Sequence, residues 1–370
     1  MPKIFKIIFF ILLGILIIGF VVFKISLLKT QKTQILTKPL ANAEKTLNKL
    51  TLEQKIGQIL LIGFEGKTLT PQLENLIKTI HPGGVLLLSR NIESENQLRK
   101  LIGDLQEISL KDNGLLLFIA VDQEGEPMSR VKFLSEKTPQ SEIQDIEQAY
   151  KVGFFRGKEL KNSGINLNLA PILDITQPND FLYSRSFQKN PEEIGELAKA
   201  LISGQKLAGI LTAIKHFPGY GGIPFNPERE KLPILAKIPE ISQFKTALEA
   251  NPEIIMTSNV IYLEVDESFP FTLSQKAIQF LKTELKNNFL IISDDLSSPV
   301  LKRGFSLENS ITLAVKAGVD ILIVAGFDTP EDPLSAFNFL LEAAKTGQIS
   351  EKRINESIFK TIKLKQKLLK

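Results

Sequence analysis

The feature that most constrains the fold is the repeated alternation of short apolar runs with helical patterns after Leu50. Most of the apolar runs are continuous, as in parallel strands that are buried on both faces. We predict strands at Gln58–Phe64, Gly84–Leu88, Leu115–Val121, Ile165–Ala170, Ala213–His216, Glu253–Thr257, Leu290–Ser293 and Asp320–Val324. Amphipathic patterns between them, such as Pro191–Ala208, predict helices. Eight strand–helix repeats favour an α/β fold of the closed (β/α)8 TIM barrel type over an open sheet.

Polar residues collect where these predicted strands end. The third to seventh strands lead into or carry Asp122-Gln-Glu-Gly, Pro171-Ile-Leu-Asp174, Lys215-His216, Ser258-Asn259 and Asp294-Asp295. In a barrel of parallel strands, the residues at the carboxyl ends surround one mouth, where the chemistry takes place. The sequence therefore predicts that side chains from position 122 to position 294 converge on one site.

Composition excludes several classes of site and partner. The chain has no Cys, which excludes disulfides and thiolate metal sites. Its two histidines, His81 and His216, cannot form a multi-histidine metal centre. Residues 1–50 carry eight Lys and one Glu, so the rest of the chain has a net charge of −3 and offers no basic face. We therefore expect no nucleic-acid partner.

The N-terminal region contains an uncharged apolar run, Ile7–Phe23, between flanking lysines. Its 17 residues are at the short end for a membrane span, which takes about 20, and Lys6 can snorkel to lengthen it. We predict a transmembrane signal-anchor over residues 1–28, a polar linker over 29–49 and the barrel over 50–370. The alternative is a cleaved signal peptide, although no small-x-small cleavage site follows the run closely.

Six short motifs resemble glycoside hydrolase family 3, specifically its single-domain β-N-acetylhexosaminidase branch. They occur in the family's order and cover most of the chain after Leu50. The motifs are Gly83-Gly-Val-Leu-Leu-Leu-Ser-Arg-Asn91, Val121-Asp-Gln-Glu-Gly125 with Arg130, Gly164-Ile-Asn-Leu-Asn-Leu-Ala-Pro-Ile-Leu-Asp174, Ser184-Arg-Ser-Phe187, Lys215-His-Phe-Pro-Gly219 and Ser293-Asp-Asp-Leu296.

This resemblance implies a retaining hydrolase that releases terminal β-linked N-acetylglucosamine from cell-wall-type or other glycans. It implies Asp294 as the nucleophile, and it implies that the sugar in the first subsite is bound by Asp122, Arg130, Arg185, Lys215 and His216. We expect no metal or organic cofactor, and we expect a monomer. Such a substrate favours an extracytoplasmic barrel on a single-pass membrane protein, whereas the lysines after the apolar run favour a cytoplasmic one.

Taken from the residues alone, these positions have other interpretations. Asp294 could be a helix N-cap, and Asp122 could be a structural partner of Arg130. His216 could be a buried histidine bonded to backbone, and Arg185 a solvated surface charge.

The loop after Pro218 departs from the family pattern. Tyr220 replaces a histidine, and Asn226-Pro-Glu228 replaces an Asp-Ser-His triplet whose Asp and His supply the general acid/base in the family. Glu228 stands at the place of that histidine. We predict that it acts as the acid/base, since a carboxylic acid with a raised pKa is the ordinary choice in glycosidases.

Other readings of the departures stay open at this level. Glu228 could be a solvated charge, which would leave a slow enzyme or a glycan-binding protein without catalysis. Glu126-Pro127-Met128 replaces the family's Gly-Arg-Val, so a related β-glucosidase specificity is a further alternative.

Overall fold

The computed structural model describes residues 42–286, 289–326, 329–330 and 332–369. The chain separates into two compact units, residues 1–49 and 50–370. In the first unit, residues 42–47 form a short helix within the stretch predicted as a linker. The second unit contains the barrel. The division of residues 1–49 into an anchor and a linker stays a prediction.

The described part of the second unit contains eight parallel strands that close into a barrel. Each strand pairs with the next in chain order, and the eighth pairs with the first through Leu60–Leu322 and Ile62–Val324. We number the barrel strands β1 Leu60–Ile62, β2 Gly84–Leu87, β3 Phe118–Val121, β4 Leu167–Asn168, β5 Leu211–Phe217, β6 Ile254–Thr257, β7 Leu290–Asp295 and β8 Ile321–Val324. Each overlaps one of the predicted strands.

Helices surround the barrel. Several begin at a Ser, Thr, Asp or Asn whose side chain accepts a backbone N–H of the first turn, which satisfies a donor that has no partner within the helix. The helices are α1 Leu52–Gln58, α2 Pro71–Ile80, α3 Glu95–Asn113, α4 Ile146–Asn162, α5 Pro191–Ala208, α6 Ser242–Ala247, α7 Gln275–Leu285, α8 Pro299–Gly304, α9 Leu307–Ala317, α10 Asp332–Lys345 and α11 Glu351–Lys365.

Shorter elements occupy the loops. Gln123–Gly125 and Met128–Ser129 form an antiparallel hairpin, and Ile234–Leu235 pairs with Ile261–Tyr262. Single 3₁₀ turns span Ser89–Asn91, Gln140–Glu142, Tyr183–Arg185, Leu248–Ala250, Phe271–Leu273 and Gln366–Leu369.

The predicted fold was wrong in one part. We expected a membrane-spanning helix ahead of the barrel, but none of the helices in the described ranges is long and apolar enough to cross a bilayer. The expected span itself, Ile7–Phe23, lies outside the described residues. The corrected fold class of the described residues is the (β/α)8 barrel, with no membrane-spanning helix among them.

Strand β4 is shorter than predicted because side-chain amides take over its pairing with β3. Asn166 accepts the N–H of Ile119 at 2.8 Å and donates to the Leu117 carbonyl at 2.9 Å. Asn168 contacts the N–H and the carbonyl of Gln123 in the same way, at 3.0 Å each. These bonds fix the point at which the chain leaves β3, and therefore the position of Asp122, which follows the strand.

The loop after β3 is held from below by Arg156 of α4. This arginine is fully buried, and it donates to the carbonyls of Glu124 at 2.6 Å and Thr138 at 2.7 Å. Gly125 passes between them with φ 106°, and a Cβ there would lie 2.0 Å from the Thr138 oxygen. The hairpin that carries Asp122 and Glu124 is therefore fixed by a glycine and a buried cation.

Apolar side chains fill the barrel interior in layers. The cluster draws residues from all eight described strands, among them Leu61, Phe118, Ala213 and Ile292. Its upper members end below the mouth at the carboxyl ends of the strands. The polar residues predicted to converge there therefore lie next to an apolar barrel interior.

Candidate active site

The structure brings the seven predicted site residues to one cavity at the carboxyl ends of the strands. The cavity has a volume of about 230 Å³. Its floor consists of Leu86, Leu169, Met256 and Ile323. Its polar lining includes Asp122, Arg130, Arg185, Lys215, His216, Glu228 and Asp294. The catalytic and binding roles assigned to these residues stay predictions.

Lys215 is the centre of an ionic network on one side of the cavity. Its Nζ lies 2.7 Å from Asp122 Oδ1 and 2.6 Å from Glu124 Oε1, and its side chain is 2% exposed. Arg185 contacts both oxygens of Glu124, with Nε at 2.9 Å and Nη2 at 2.7 Å. Glu124 therefore joins the lysine at the end of β5 to the arginine in the loop after β4.

The network keeps its carboxylates ionised. Burial alone would raise the pKa of Asp122, but the positive charges of Lys215 and Arg130 lower it to about 2. Burial also opposes ionisation of Glu124, but Arg185 and Lys215 lower the pKa of that carboxyl. The same carboxylates overcome the effect of burial on Lys215 and raise its pKa. All of these groups carry their charges at neutral pH.

Arg130 has the most open position in this group. Its Nε lies 3.9 Å from Asp122 Oδ2, beyond hydrogen-bond distance, and within the described residues that buried nitrogen has no hydrogen-bond partner. An unsatisfied donor that borders a polar cavity is available to a ligand. Both interpretations of Asp122 therefore fit: it is an electrostatic partner of Arg130, and it also lines the cavity.

Asp174 holds two neighbouring parts of the site. Its Oδ2 accepts the backbone N–H of His216 at 3.1 Å and contacts the His216 ring Nδ1 at 2.9 Å. Its Oδ1 accepts the backbone N–H of Tyr220 at 2.6 Å. A proton on Nδ1 would leave Nε2 of His216 as the other polar atom of the ring, which lines the cavity.

Asp294, at the end of β7, is held through both of its carboxylate oxygens. Tyr220 donates its hydroxyl to Oδ2 at 2.6 Å, and the backbone N–H of Asp295 contacts Oδ1 at 2.8 Å. The Tyr220 hydroxyl in turn accepts the backbone N–H of Asn259 at 2.7 Å. Helix α8 has Ser298 as its N-cap, so the alternative of Asp294 as a cap does not hold.

Tyr220 remains a donor over the whole working pH range of a protein. Burial and the negative charge of Asp294 raise the pKa of its phenol well above the ordinary value. In the sequence, Tyr220 stands out only as a departure from the family pattern, and no role was predicted for it. Its position in the sequence could have indicated a role, because a polar side chain four residues after His216 is expected near the same mouth of the barrel.

Asp295 differs from its neighbour in its surroundings. Its Oδ1 accepts the N–H and the hydroxyl of Ser297, at 2.9 and 2.6 Å, and the N–H of Ala325 at 3.1 Å. Its Oδ2 is buried and has no hydrogen-bond partner among the described residues. Burial is the largest influence on this carboxyl and raises its pKa to about 7.

Glu228 reaches the cavity from the loop after β5. The residue as a whole is exposed, but it lines the cavity, where its carboxyl group is partly desolvated. Burial of that group and the negative charge of Asp294 raise its pKa above the ordinary glutamate value, against the opposing effect of Arg185. A carboxyl that holds its proton more firmly than usual can donate it.

Two of the residues that replace the family motif after Gly125 lie in different surroundings. Glu126 pairs with Lys132 at the surface, with 3.2 Å between the charged atoms. Met128 lines the cavity instead. No group of three or more His, Asp or Glu side chains that could hold a metal ion occurs in the described ranges.

Comparison with known proteins assigns the family. The family model for the Glycosyl hydrolase family 3 N terminal domain matches residues 51–364. The chain is 29% identical to a beta-hexosaminidase A of Pseudoalteromonas piscicida, over 86% of this chain and 62% of that protein. It is 30% identical to a beta-hexosaminidase of Idiomarina loihiensis, over 72% of this chain and 83% of that protein.

A solved structure agrees with these relatives. A glycoside hydrolase family 3 beta-N-acetylglucosaminidase from a Paenibacillus species superposes with a TM-score of 0.80 and 30% identity, over 86% of this chain. The chain spans 62% of the length of that protein, the same share as for the Pseudoalteromonas relative. Because the family model covers most of the chain and the barrel and motifs agree with it, this chain belongs to glycosyl hydrolase family 3.

Proposed function

We propose that this protein is a retaining glycoside hydrolase that releases terminal β-linked N-acetylglucosamine from glycans. Its similarity to proteins named beta-hexosaminidase and beta-N-acetylglucosaminidase supports the substrate class. One observation carries the proposal. The carboxylate of Asp294, fixed by Tyr220 and the Asp295 backbone, borders the same cavity as Asp122, Lys215 and His216.

The ionic network would bind the sugar. An ionised Asp122 accepts hydrogen bonds from sugar hydroxyls, because a carboxylate has several acceptor positions and no donor. Lys215, His216 and the two arginines supply donors from the facing walls. Asp122, Lys215 and Arg185 are joined in one ionic network through Glu124, and Asp174 fixes His216, so these groups are held in place before the sugar arrives. Little ordering is then needed on binding.

The reaction would proceed in two steps. Asp294 attacks the anomeric carbon while Glu228 gives its proton to the glycosidic oxygen, so the bond to the leaving group breaks and a glycosyl-enzyme ester forms. Glu228, now ionised, takes a proton from water as the water oxygen attacks the same carbon. The ester bond breaks, Asp294 leaves as a carboxylate, and Glu228 again carries its proton.

Glu228 fits this role by position and by protonation. The family's Asp-His pair is absent from the loop, and Glu228 occupies the equivalent place at the cavity. Its raised pKa favours the protonated form that the first step requires. Loop closure over a bound sugar would exclude further water and would favour that form more.

Glu228→Ala tests this assignment. We expect kcat to fall on the order of 10²- to 10⁴-fold on substrates with poor leaving groups, the range for loss of general acid catalysis. A dinitrophenyl leaving group needs no proton, so with such a substrate the rate of the first step, formation of the glycosyl-enzyme ester, should stay near that of the wild type. Azide should then restore turnover and give a β-glycosyl azide. Unchanged kcat on all substrates would contradict the role of Glu228, and saturable sugar binding without turnover by the wild type would indicate a glycan-binding protein.

We further propose that the barrel acts as a monomer outside the cytoplasm. The residues that line the cavity come from one chain, so a second copy is not needed to complete the site. Cell-wall-type glycans with terminal N-acetylglucosamine lie outside the cytoplasm. Sedimentation of the purified protein tests the first statement, and protease accessibility in intact cells tests the second.

A further inference from the structure

The loop that carries Glu228 is hydrogen-bonded to helix α8. The carbonyl oxygens of three consecutive residues, 228 to 230, accept bonds from this helix. The N–H of Val300 lies 3.2 Å from the Glu228 oxygen. One nitrogen of Arg303, Nη2, lies 3.0 Å from the Arg229 oxygen and 2.7 Å from the Glu230 oxygen. We call residues 226–231 the Glu228 loop.

The Glu228 loop is a compact turn that can move as one piece. Asn226 Oδ1 accepts the N–H of Glu228 at 2.9 Å, and the Asn226 carbonyl accepts the N–H of Glu230 at 3.0 Å. The side chain of Glu230 returns to the Asn226 N–H at 2.9 Å. These local bonds fix the shape of the turn, whereas its bonds to α8 fix where the turn lies.

Helix α8 is a firm support for the loop. It begins at Pro299, shortly after β7, and the N–H of Ser298 contacts the Asp295 carbonyl at 3.4 Å. On another side of the helix, Lys302 Nζ binds Asp332 at 2.7 Å and Thr329 at 2.9 Å. A loop bonded to α8 is therefore held in a fixed relation to the strand that carries Asp294.

We propose that Arg303 is a positioning residue that holds the Glu228 loop at the cavity and so keeps the acid/base within reach of the glycosidic oxygen. This inference rests on the proposed function of Glu228. The guanidinium suits the task, because its planar group can donate to two adjacent carbonyls at once. Arg303 reaches the carbonyls of Arg229 and Glu230, whereas Val300 reaches that of Glu228.

The proposal predicts a selective defect. Arg303 lies outside the cavity lining, so its loss should not alter sugar binding. Without it, the loop spends less time in the position where Glu228 can transfer a proton. Two hydrogen bonds of ordinary strength are removed, which corresponds to about a 10-fold loss of the competent population. Substrates that need protonation of the leaving group should reveal this loss, and activated substrates should not.

The test compares Arg303→Ala with the wild type on two aryl N-acetyl-β-glucosaminides. We expect kcat to fall about 10-fold with a phenyl leaving group and less than about 2-fold with a dinitrophenyl one. The dissociation constant for free N-acetylglucosamine should stay unchanged. Arg99→Ala is the control, because it removes a surface arginine that pairs with Glu95 on α3 and lies outside the cavity lining. It should show no dependence on the leaving group.

Equal losses on both substrates, or the same pattern in Arg99→Ala, would overturn the proposal. Glu228→Gln in the same assay separates this failure from that of the proposed function. If Glu228→Gln shows no leaving-group dependence, the acid/base assignment fails. If it does and Arg303→Ala does not, only the role of Arg303 fails. Should Arg303→Ala not fold, Arg303→Lys keeps the charge but loses the planar fork, and it should show a smaller loss of the same kind.

Discussion

The two sides of the cavity treat their carboxylates in opposite ways. Where β3 and β5 end, Asp122 and Glu124 are in direct contact with a buried lysine, and the pKa of each is lowered. Around Asp294 at the end of β7, burial raises the pKa of Asp295 to about 7. Burial together with the negative charge of Asp294 also raises the pKa of Glu228, which comes from the loop after β5. One side keeps its carboxyl groups ionised, whereas on the other side the pKa of two carboxyl groups is raised.

This difference has a chemical meaning for a glycosidase. Groups that bind hydroxyls work best with a constant charge and a constant position. An acid/base must change its protonation state twice in each cycle, so it needs a pKa closer to the working pH. The cavity supplies both conditions because the cations are concentrated on the binding side.

The largest expected effect comes from the reacting side. Asp294→Asn should lower kcat on the order of 10⁵- to 10⁶-fold, as the loss of a catalytic nucleophile does. Binding of N-acetylglucosamine should persist, because the network around Lys215 is untouched. Steady-state kinetics and calorimetric titration measure the two effects. Activity within tenfold of the wild type would refute the division of the cavity into two functions.

On the side of the cavity around Lys215, we expect substitutions to lower the stability of the folded protein. Lys215→Met leaves Asp122 and Glu124 buried without their shared cation, so the free energy of unfolding should fall by about 3–5 kcal/mol. Urea denaturation at neutral pH measures this. Lys151→Met is the control, because Lys151 pairs with Glu147 at the surface and its loss should cost less than about 0.5 kcal/mol.

A double variant sharpens this result. In Lys215→Met, Glu124 keeps Arg185 as a close cation, whereas Asp122 keeps only Arg130, at 3.9 Å. Adding Asp122→Asn to Lys215→Met therefore removes the carboxylate that has lost its close cation and should recover part of the lost stability. A double variant that is less stable than Lys215→Met alone would mean that the network does not act through charge pairing.

Tyr220→Phe should have an intermediate effect. It removes a hydrogen bond to an ionised carboxylate, which is worth about 1.5–3 kcal/mol, and so should lower kcat/KM about 10- to 100-fold. The ring remains to pack against His216, with 5.1 Å between the ring centroids, so the fold should persist. Tyr150→Phe on the outer surface is the control. Wild-type kcat/KM in Tyr220→Phe would remove this tyrosine from the mechanism.

A further expected effect concerns Asp295 and the dependence of stability on pH. Its carboxyl titrates near pH 4 in an unfolded chain and at about 7 in the folded protein. The folded state therefore keeps the proton longer, and the stability that this supplies is full below about pH 4 and is lost as the pH rises to about 7. The asparagine of Asp295→Asn does not titrate, so its stability relative to the wild type should increase from pH 4 to 7. Parallel unfolding curves across that range would contradict the raised pKa.

The barrel and the convergence of the site could be predicted because both depend on local pattern. Strand–helix alternation fixes the topology, and topology carries residues at strand ends to one mouth. The choice of partners could not be read from the chain. Nothing in the sequence indicates that Glu124 joins Lys215 to Arg185, because those distances depend on how the loops after three different strands pack together.

The same limit explains what was missed around the acid/base. The six-residue helix α8 was not predicted, since so short a segment has little periodicity to detect. Without it, the attachment of the Glu228 loop could not be inferred. The expected membrane span, Ile7–Phe23, was argued from its length and flanking lysines and lies outside the described residues; none of the described helices could cross a membrane.

The contacts of Asp174 limit how the glycan specificity of this site can change by substitution. The two oxygens of Asp174 contact His216, which lines the cavity, and Tyr220, whose hydroxyl donates to Asp294. A substitution that retunes recognition at His216 through this carboxylate will therefore also disturb the reaction rate. Divergence toward new glycans has a freer route at the rim, through Met128 and Phe181, which line the cavity outside this shared support.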